Sequence, residues 1–411
     1  MPEFLELLPP QKALDLFFRH LAPGILGEQQ LPLLSAVGRV TSRAVTAVER
    51  LPAFDRSTVD GYAVSAGDTF GASESLPVYM KLIGEIPMGG GAAFTLQSGQ
   101  LATIHTGGML PPGADAVVML EHTQTVGEDE VEVLRAVAPR ENVILAGEDI
   151  EVGAAVIQAG ERLGAEAVGS LLALGHTGVW VARQPRIAII STGDEIVPPE
   201  THPSLGQVRD VNSGSLSALV ALAGGIPHPL GIIPDQPDRL ESALAGALQD
   251  CDAVVITAGS SASTRDLTAA AIEKMGSPGV LVHGVNVKPG KPTILGVCAG
   301  KGVIGLPGNP VSALVIARLF VVPLIERLHG YVRPQPAPVV SAVLAVNLAS
   351  QAGREDYIPV RLLPQAYGVL AEPVFYKSNL IFSLASADGY LVIPPDATGL
   401  PAGSQVQVIR L

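Results

Sequence analysis

RIAIIS (186–191), SLSALVALAGG (215–225), PLGII (229–233), DRLESALAGALQ (238–249), AVVIT (253–257), LTAAAIEKMG (267–276), KPTILGV (291–297) and GVIGL (302–306) follow one another between residues 185 and 329, and a long helix is expected from Pro310. Short apolar runs alternate with longer segments that have apolar residues at helical spacing. Such alternation implies a mostly parallel sheet with helices on both faces, a doubly wound α/β domain. In open sheets of this kind, ligands bind beyond the carboxyl ends of the strands. Four of those ends carry polar or glycine-rich loops: STGDE (191–195), IPD (233–235), TAGSSASTRD (257–266) and LPGNP (306–310).

Working outward, PQKALDLFFRHL (10–21) has the pattern of one amphipathic helix packed on the body of the protein. The stretch from there to about residue 182 is rich in Gly, Pro, Val and Thr. It reads as short strands and turns, with a helix over about 165–175. The last 80 or so residues return to strand patterns (VVSAVLAV, YIPVRLL, YLVIP, SQVQVIRL), expected to form a small β-barrel or sandwich.

Composition narrows the function. Of 411 residues, 39 are Asp or Glu and 26 Lys or Arg, a formal charge of −13. Such a surface repels nucleic acid and acidic lipid, so a polyanionic ligand needs a local pocket of Lys, Arg and backbone N–H groups. Cys251 and Cys298 fit no zinc spacing and no disulfide framework and read as buried thiols. Glu3 and Glu6 stand where a signal peptide would be basic. The most apolar stretch, 311–325, is interrupted by Arg318 and Pro323 and reads as a buried helix. The expected compartment is the cytoplasm.

Three of the four loops bring carboxylates: Asp194 and Glu195, Asp235, and Asp266. Mg²⁺ takes few protein carboxylates and completes its shell with water and phosphate oxygens. The plainer reading is that Asp235, Asp238 and Asp266 cap the helices that follow. KPGKP (288–292) sets two lysines three residues apart between prolines, which exclude a regular helix; a stiff loop presenting two ammonium groups suits an oxyanion. In LPGNPVSA (306–313), Asn309 stands at an N-cap and Pro310 at the first helical position, where the helix N-terminus favours negative charge. FDRSTVDGYAV (54–64) and HTGGMLPPGADAVVMLE (105–121) stand out in the N-terminal half, but each taken alone is only a turn or a Gly/Pro loop.

Taken together and in order, DRSTVDGYAV (55–64), HTGGMLPPGADAVVMLE, AGEDIEVGAAVIQAGERL (146–163), STGDEI, TAGSSASTRD, VKPGKPTILG and GLPGNPVSA resemble the molybdopterin molybdenumtransferases of the MoeA type, with the gephyrin and plant E-domain relatives. The resemblance runs from about residue 10 to the C-terminus. It implies insertion of molybdate into adenylylated molybdopterin with Mg²⁺-dependent release of AMP. It also implies a homodimer whose active sites are shared between subunits. The partners it implies are the upstream adenylyltransferase and recipient apo-molybdoenzymes, not nucleic acid or membrane.

Residue by residue, the resemblance places Asp60 and Thr106 at the family's essential aspartate and threonine. It places Glu195, Asp235 and Asp266 as catalytic residues around Mg²⁺ and phosphate. Ser261, Lys288, Lys291, Pro307, Gly308, Asn309 and Pro310 become substrate-binding residues, and Arg354 of GREDY and Ser378 of YKSNL the pair near molybdate. Ala258 and Ser263 stand where the family carries glycine, and Ser260 where it carries valine. A tungstate-inserting paralogue and a non-catalytic pterin-binding sensor or scaffold are the alternatives this departure leaves open. An adenylyltransferase would be the α/β domain alone, without the flanking regions.

The expected architecture is a multidomain chain of α/β plus β class. Residues 1–45 with 140–182 form an elongated N-terminal domain, and 46–139 a β-rich substrate-cleft domain. Residues 183–330 form the doubly wound α/β domain of molybdopterin-binding type, and 331–411 a small C-terminal β-barrel.

Overall fold

The computed structural model describes residues 7–22, 26–258, 262–332, 338–374 and 377–411. The chain forms two compact units, one of Met1–Arg43, Ala159–Leu163 and Gly178–Leu411, the other of Ala44–Gln158 and Gly164–Thr177.

The first unit is built on a six-stranded sheet in the order Ile226–Ile233, Arg186–Thr192, Ala253–Ala258, Lys301–Pro307, Ile294–Cys298, Pro278–His283. The first four strands are parallel, as the alternation predicts, and the last two are antiparallel. Ala253–Ala258 is buried throughout and Arg186–Thr192 is buried beyond Arg186, so they read as unbroken apolar runs rather than alternating ones. Ile226–Ile233 carries Pro227 and Pro229 and lies at the sheet edge, where a missing N–H costs no ladder bond. The reversal to antiparallel comes at Ala299 and Gly300, with φ of 51° and 78°, the conformation a two-residue hairpin needs. Ala13 and Phe17 of the Pro10–His20 helix are fully buried in the core on one face of this sheet, as the amphipathic pattern predicts. Leu240, Leu244 and Ile272 belong to the core on the other.

The long helix expected from Pro310 is broken. It runs Pro310–Ile316, widens into a π turn over Ala317–Val321, and resumes at Val322–Leu328. Pro323 lacks an N–H and its ring collides with the carbonyl four residues back, so the ladder must widen there.

The C-terminal strands close a five-stranded barrel in the order Glu355–Gln365, Gly368–Pro373, Val339–Leu344, Gln405–Arg410, Gly389–Ile393, with the last pairing back on the first. The alternating buried residues of Val339–Leu344 and Gln405–Arg410 fill its interior. The short strand Val287–Lys288 lies parallel to the barrel strand Glu355–Gln365.

The second unit contains a six-stranded sheet ordered Ala116–Met119, Gly61–Val64, Gln100–Ile104, Val78–Glu85, Glu130–Val133, Thr123–Val126. Its two faces carry separate apolar cores, around Tyr62, Met80 and Leu101 and around Ile86, Ala102 and Val117. No helix among the described residues is long and apolar enough to cross a membrane. Cys251 and Cys298 are buried and unpaired.

Candidate active site

The four loop-bearing strands are parallel, so their carboxyl ends, Thr192, Ile233, Ala258 and Pro307, lie on one sheet edge. Two clefts of the first unit are lined from this side. The smaller, of about 660 Å³, is lined by Ser191, Thr192, Glu195, Arg209, Asn212, Thr257, Gly308 and Pro310 among others. The larger, of about 1180 Å³, takes Lys288, Lys291, Pro307, Arg354, Lys377 and Ser378 into its walls. Asn309 lines both.

The larger cleft is a cationic pocket in an acidic chain. Its described walls contain Lys288, Lys291, Arg354 and Lys377 and no carboxylate. KPGKP is not a free loop. Lys288 pairs in register with Asp356 of the barrel, the Asn286 side chain donates to the Gly353 carbonyl, and Glu355 N–H donates to the Asn286 carbonyl at 3.2 Å. Between the lysines, Gly290 has φ 118°, and a Cβ there would come within 2.4 Å of the Ile316 side chain; only glycine fits that turn against the helix. Beneath the cations lies Asp356, fully buried. Arg354 Nε donates to its Oδ1 at 2.8 Å, and Lys288 Nζ stands 4.0 Å from Oδ2.

Asn309 holds the N-cap position of Pro310–Ile316, yet its side chain makes no cap bond. Its Nδ2 donates instead to Ser378 Oγ at 3.0 Å. The Val311 N–H, one of the open donors of that helix end, donates to the Ser378 carbonyl at 3.1 Å. The helix start is therefore shared with the barrel segment. Asn212 Nδ2 fastens the same loop by donating to the Gly308 carbonyl at 2.8 Å.

The predicted carboxylates lie on different elements. Glu195 is half-buried in the smaller cleft. The Asp235 N–H donates to Asp194 Oδ1 at 3.2 Å, so two acidic loops meet there; Gln236, not Asp235, is the N-cap of the helix that follows. Asp266 is exposed and lies within the Ala262–Lys274 helix, which begins five residues earlier than its apolar pattern. Ser261 and Ser260 lie outside the described residues. Among the described residues no group of three or more His, Cys, Asp or Glu converges as a metal cage. These hard oxygen donors fit a cation that takes one or two protein carboxylates and fills its shell from phosphate and water, as Mg²⁺ does.

Asp60 and Thr106 meet in the second unit. Gly61 pairs with Ile104, so the residues just beyond, on antiparallel neighbours, emerge at the same end of the sheet. Asp60 Oδ1 accepts from the Thr106 N–H at 2.7 Å and from its hydroxyl at 3.0 Å. The Thr106 backbone and hydroxyl donors hold the Asp60 carboxyl below its usual pKa range, and His105 adds to the effect. His105 Nδ1 lies 3.9 Å from Asp60, and Nε2 lies 3.0 Å from Glu85 Oε1.

Sequence reasoning passed over Glu85, Arg209, Asn212, Lys377 and Asp356. The polar run RDVNS (209–213) before the Asn212–Leu222 helix is a signal that could have found Asn212. Glu85 and Asp356 carry no local signal; pairing across strands brings them to their sites.

Residues 8–175 match the MoeA N-terminal region (domain I and II), 188–327 the probable molybdopterin binding domain, and 341–411 the MoeA C-terminal region (domain IV). A putative molybdopterin biosynthesis protein of Methanocaldococcus jannaschii is 34% identical over 98% of both chains. Molybdopterin molybdenumtransferase 2 of Mycobacterium tuberculosis is 35% identical over 92% of this chain and 94% of its own length. The crystal structure of a molybdopterin biosynthesis MoeA protein from Pyrococcus horikoshii superposes with a TM-score of 0.86 at 32% identity, covering 99% of this chain and 100% of that one. The chain belongs to the MoeA family of molybdopterin molybdenumtransferases, enzymes of molybdenum cofactor biosynthesis.

Proposed function

We propose that this chain inserts molybdate into adenylylated molybdopterin and releases AMP with Mg²⁺. The observation that carries this reading is the pair of clefts meeting at Asn309, one walled by Lys288, Lys291, Arg354 and Ser378, the other by Glu195, Asn212 and Thr257. A tetrahedral dianion calls for Lys, Arg and hydroxyl donors, which the larger cleft supplies. The smaller cleft has the volume of a small-ligand pocket and ends on glycine and hydroxyl groups suited to phosphate. Two Mo–S bonds form as one oxide leaves as water with both thiol protons, and water cleaves the phosphoanhydride to give AMP. Glu195, Asp235 and Asp266 are the residues that would hold Mg²⁺, and the ion would neutralise charge on the phosphates. Asp60, oriented by Thr106, is the carboxylate assigned to the reaction.

The same proposal includes a cytoplasmic homodimer with shared active sites and the four-domain division at residues 45, 139, 182 and 330. Supply of substrate by an adenylyltransferase and delivery of product to apo-molybdoenzymes belong to it too. The test is incubation of the purified chain with adenylylated molybdopterin, Mg²⁺ and molybdate, scoring AMP and reconstitution of an apo-enzyme. One AMP per reconstituted site is expected. Pterin binding without AMP release would replace this reading by the sensor or scaffold, and release with tungstate alone by the tungstate paralogue.

A further inference from the structure

Asp356 lies under the larger cleft, not on its wall. It is 0% exposed, while the two cations it touches keep 57% (Lys288) and 27% (Arg354) of their side chains in solvent. A buried carboxylate is costly unless paired and hydrogen-bonded. Here the pairing is directional. Arg354 donates through Nε to Oδ1 at 2.8 Å and through Nη2 to Oδ2 at 3.4 Å, and its Nη1 donates to Gln351 Oε1 at 3.3 Å. A guanidinium has five N–H groups in a plane. Three are used, and one remains on each terminal nitrogen of a side chain that lines the larger cleft, free to donate to an oxyanion. Lys288 is drawn to the same carboxylate at 4.0 Å, and the register of its strand against Asp356 fixes its backbone there.

We propose that Asp356 is a positioning residue for oxyanion capture. It holds Arg354 by one edge so that the other is presented to the ligand, and it keeps Lys288 beside it, where two like charges would otherwise separate into solvent. The donors are then in place before the oxyanion arrives, which reduces the ordering cost of binding. The inference rests on the reading of the larger cleft as the molybdate site.

The sign of one substitution separates positioning from plain charge. If Asp356 only offset positive charge, Asp356→Asn would make the cleft more cationic and molybdate would bind more tightly. If it positions Arg354 and Lys288, Asp356→Asn raises the molybdate Kd, read by titration calorimetry with sodium molybdate, by about tenfold or more, the size of one charged hydrogen bond. KM for molybdate should rise with it, and KM for adenylylated molybdopterin should stay unchanged. Unaltered or tighter molybdate binding would overturn the proposal. Arg354→Lys covers the case in which the buried substitution prevents folding: it keeps the charge and loses the planar fork, and the same rise is expected, whereas unchanged binding overturns the proposal. Where both fold, the double variant should be no weaker than the weaker single; additive losses would mean that Asp356 does not act through Arg354. Wild-type protein that neither binds molybdate nor releases AMP would instead sink the assignment of the cleft.

Discussion

His329 is 2% exposed, and burial, with Arg162 and Arg39 nearby, lowers its pKa from the usual 6.5 to about 4. The unfolded chain takes up this proton as pH falls through 6.5, and the folded chain holds it off until about 4. The stability tied to neutral His329 is therefore full above 6.5 and is lost as pH falls through that window. The slope is about 1.4 kcal/mol per pH unit, on the order of 3 kcal/mol in all. Replacing His329 by Gln should remove this component, so wild type and variant should diverge in urea denaturation between pH 6.5 and 4. Parallel stability curves across that range would show that His329 contributes nothing to the acid response. At this scale sequence reading is uneven. Lys288 and Lys291 stand out because two cations in a rigid proline frame suit an oxyanion better than a solvated surface, whereas Arg354 is reached only through the family resemblance. Asp356 and His329 matter because they are buried, and burial is not written in their neighbours.

At the scale of elements, glycine 61 of DGYA is there for its paired strand. A Cβ at this position would lie 1.9 Å from the Val118 carbonyl oxygen, a backbone atom that cannot move aside without parting the two strands. Gly61→Ala should cost about 3 kcal/mol or more, at or beyond the upper end of overpacking, because backbone rather than side chain must yield. It should also displace Asp60, the next residue. Chemical denaturation would measure the loss; a variant with wild-type stability would mean that the close approach does not occur. The same scale explains where patterns misled. Helical periodicity continues through residues 310–328, but Pro323 forces the π turn at Ala317–Val321. The helix after AVVIT begins at Ala262, ahead of its apolar pattern, because its first residues, ASTRD, carry no apolar spacing to mark them.

At the scale of the whole molecule, Asp60 with Thr106 and the two clefts belong to different compact units. If active sites are shared in a homodimer, Asp60→Ala and Lys291→Ala chains should be inactive alone and recover activity when mixed. Half the dimers after equimolar exchange are hybrids, each with one intact site, so about a quarter of wild-type activity is expected. No recovery, with exchange verified by mass, would assign both groups to one chain. What the sequence by itself determined was the parallel part of the α/β sheet, the strands of the barrel, the buried thiols and the set of loops at one sheet edge. Each follows from apolar periodicity and from Gly, Pro and Asp punctuation, which act over a few residues. Tertiary structure alone decided that KPGKP is pinned to GREDY through Lys288 and Asp356, and that Asn309 turns from capping its helix to Ser378. It also decided that Glu85 comes to His105 and that Asp266 lies inside a helix rather than at its cap. Those outcomes depend on strand register and burial between segments up to 69 residues apart, and no local pattern encodes which distant partner a polar side chain will meet.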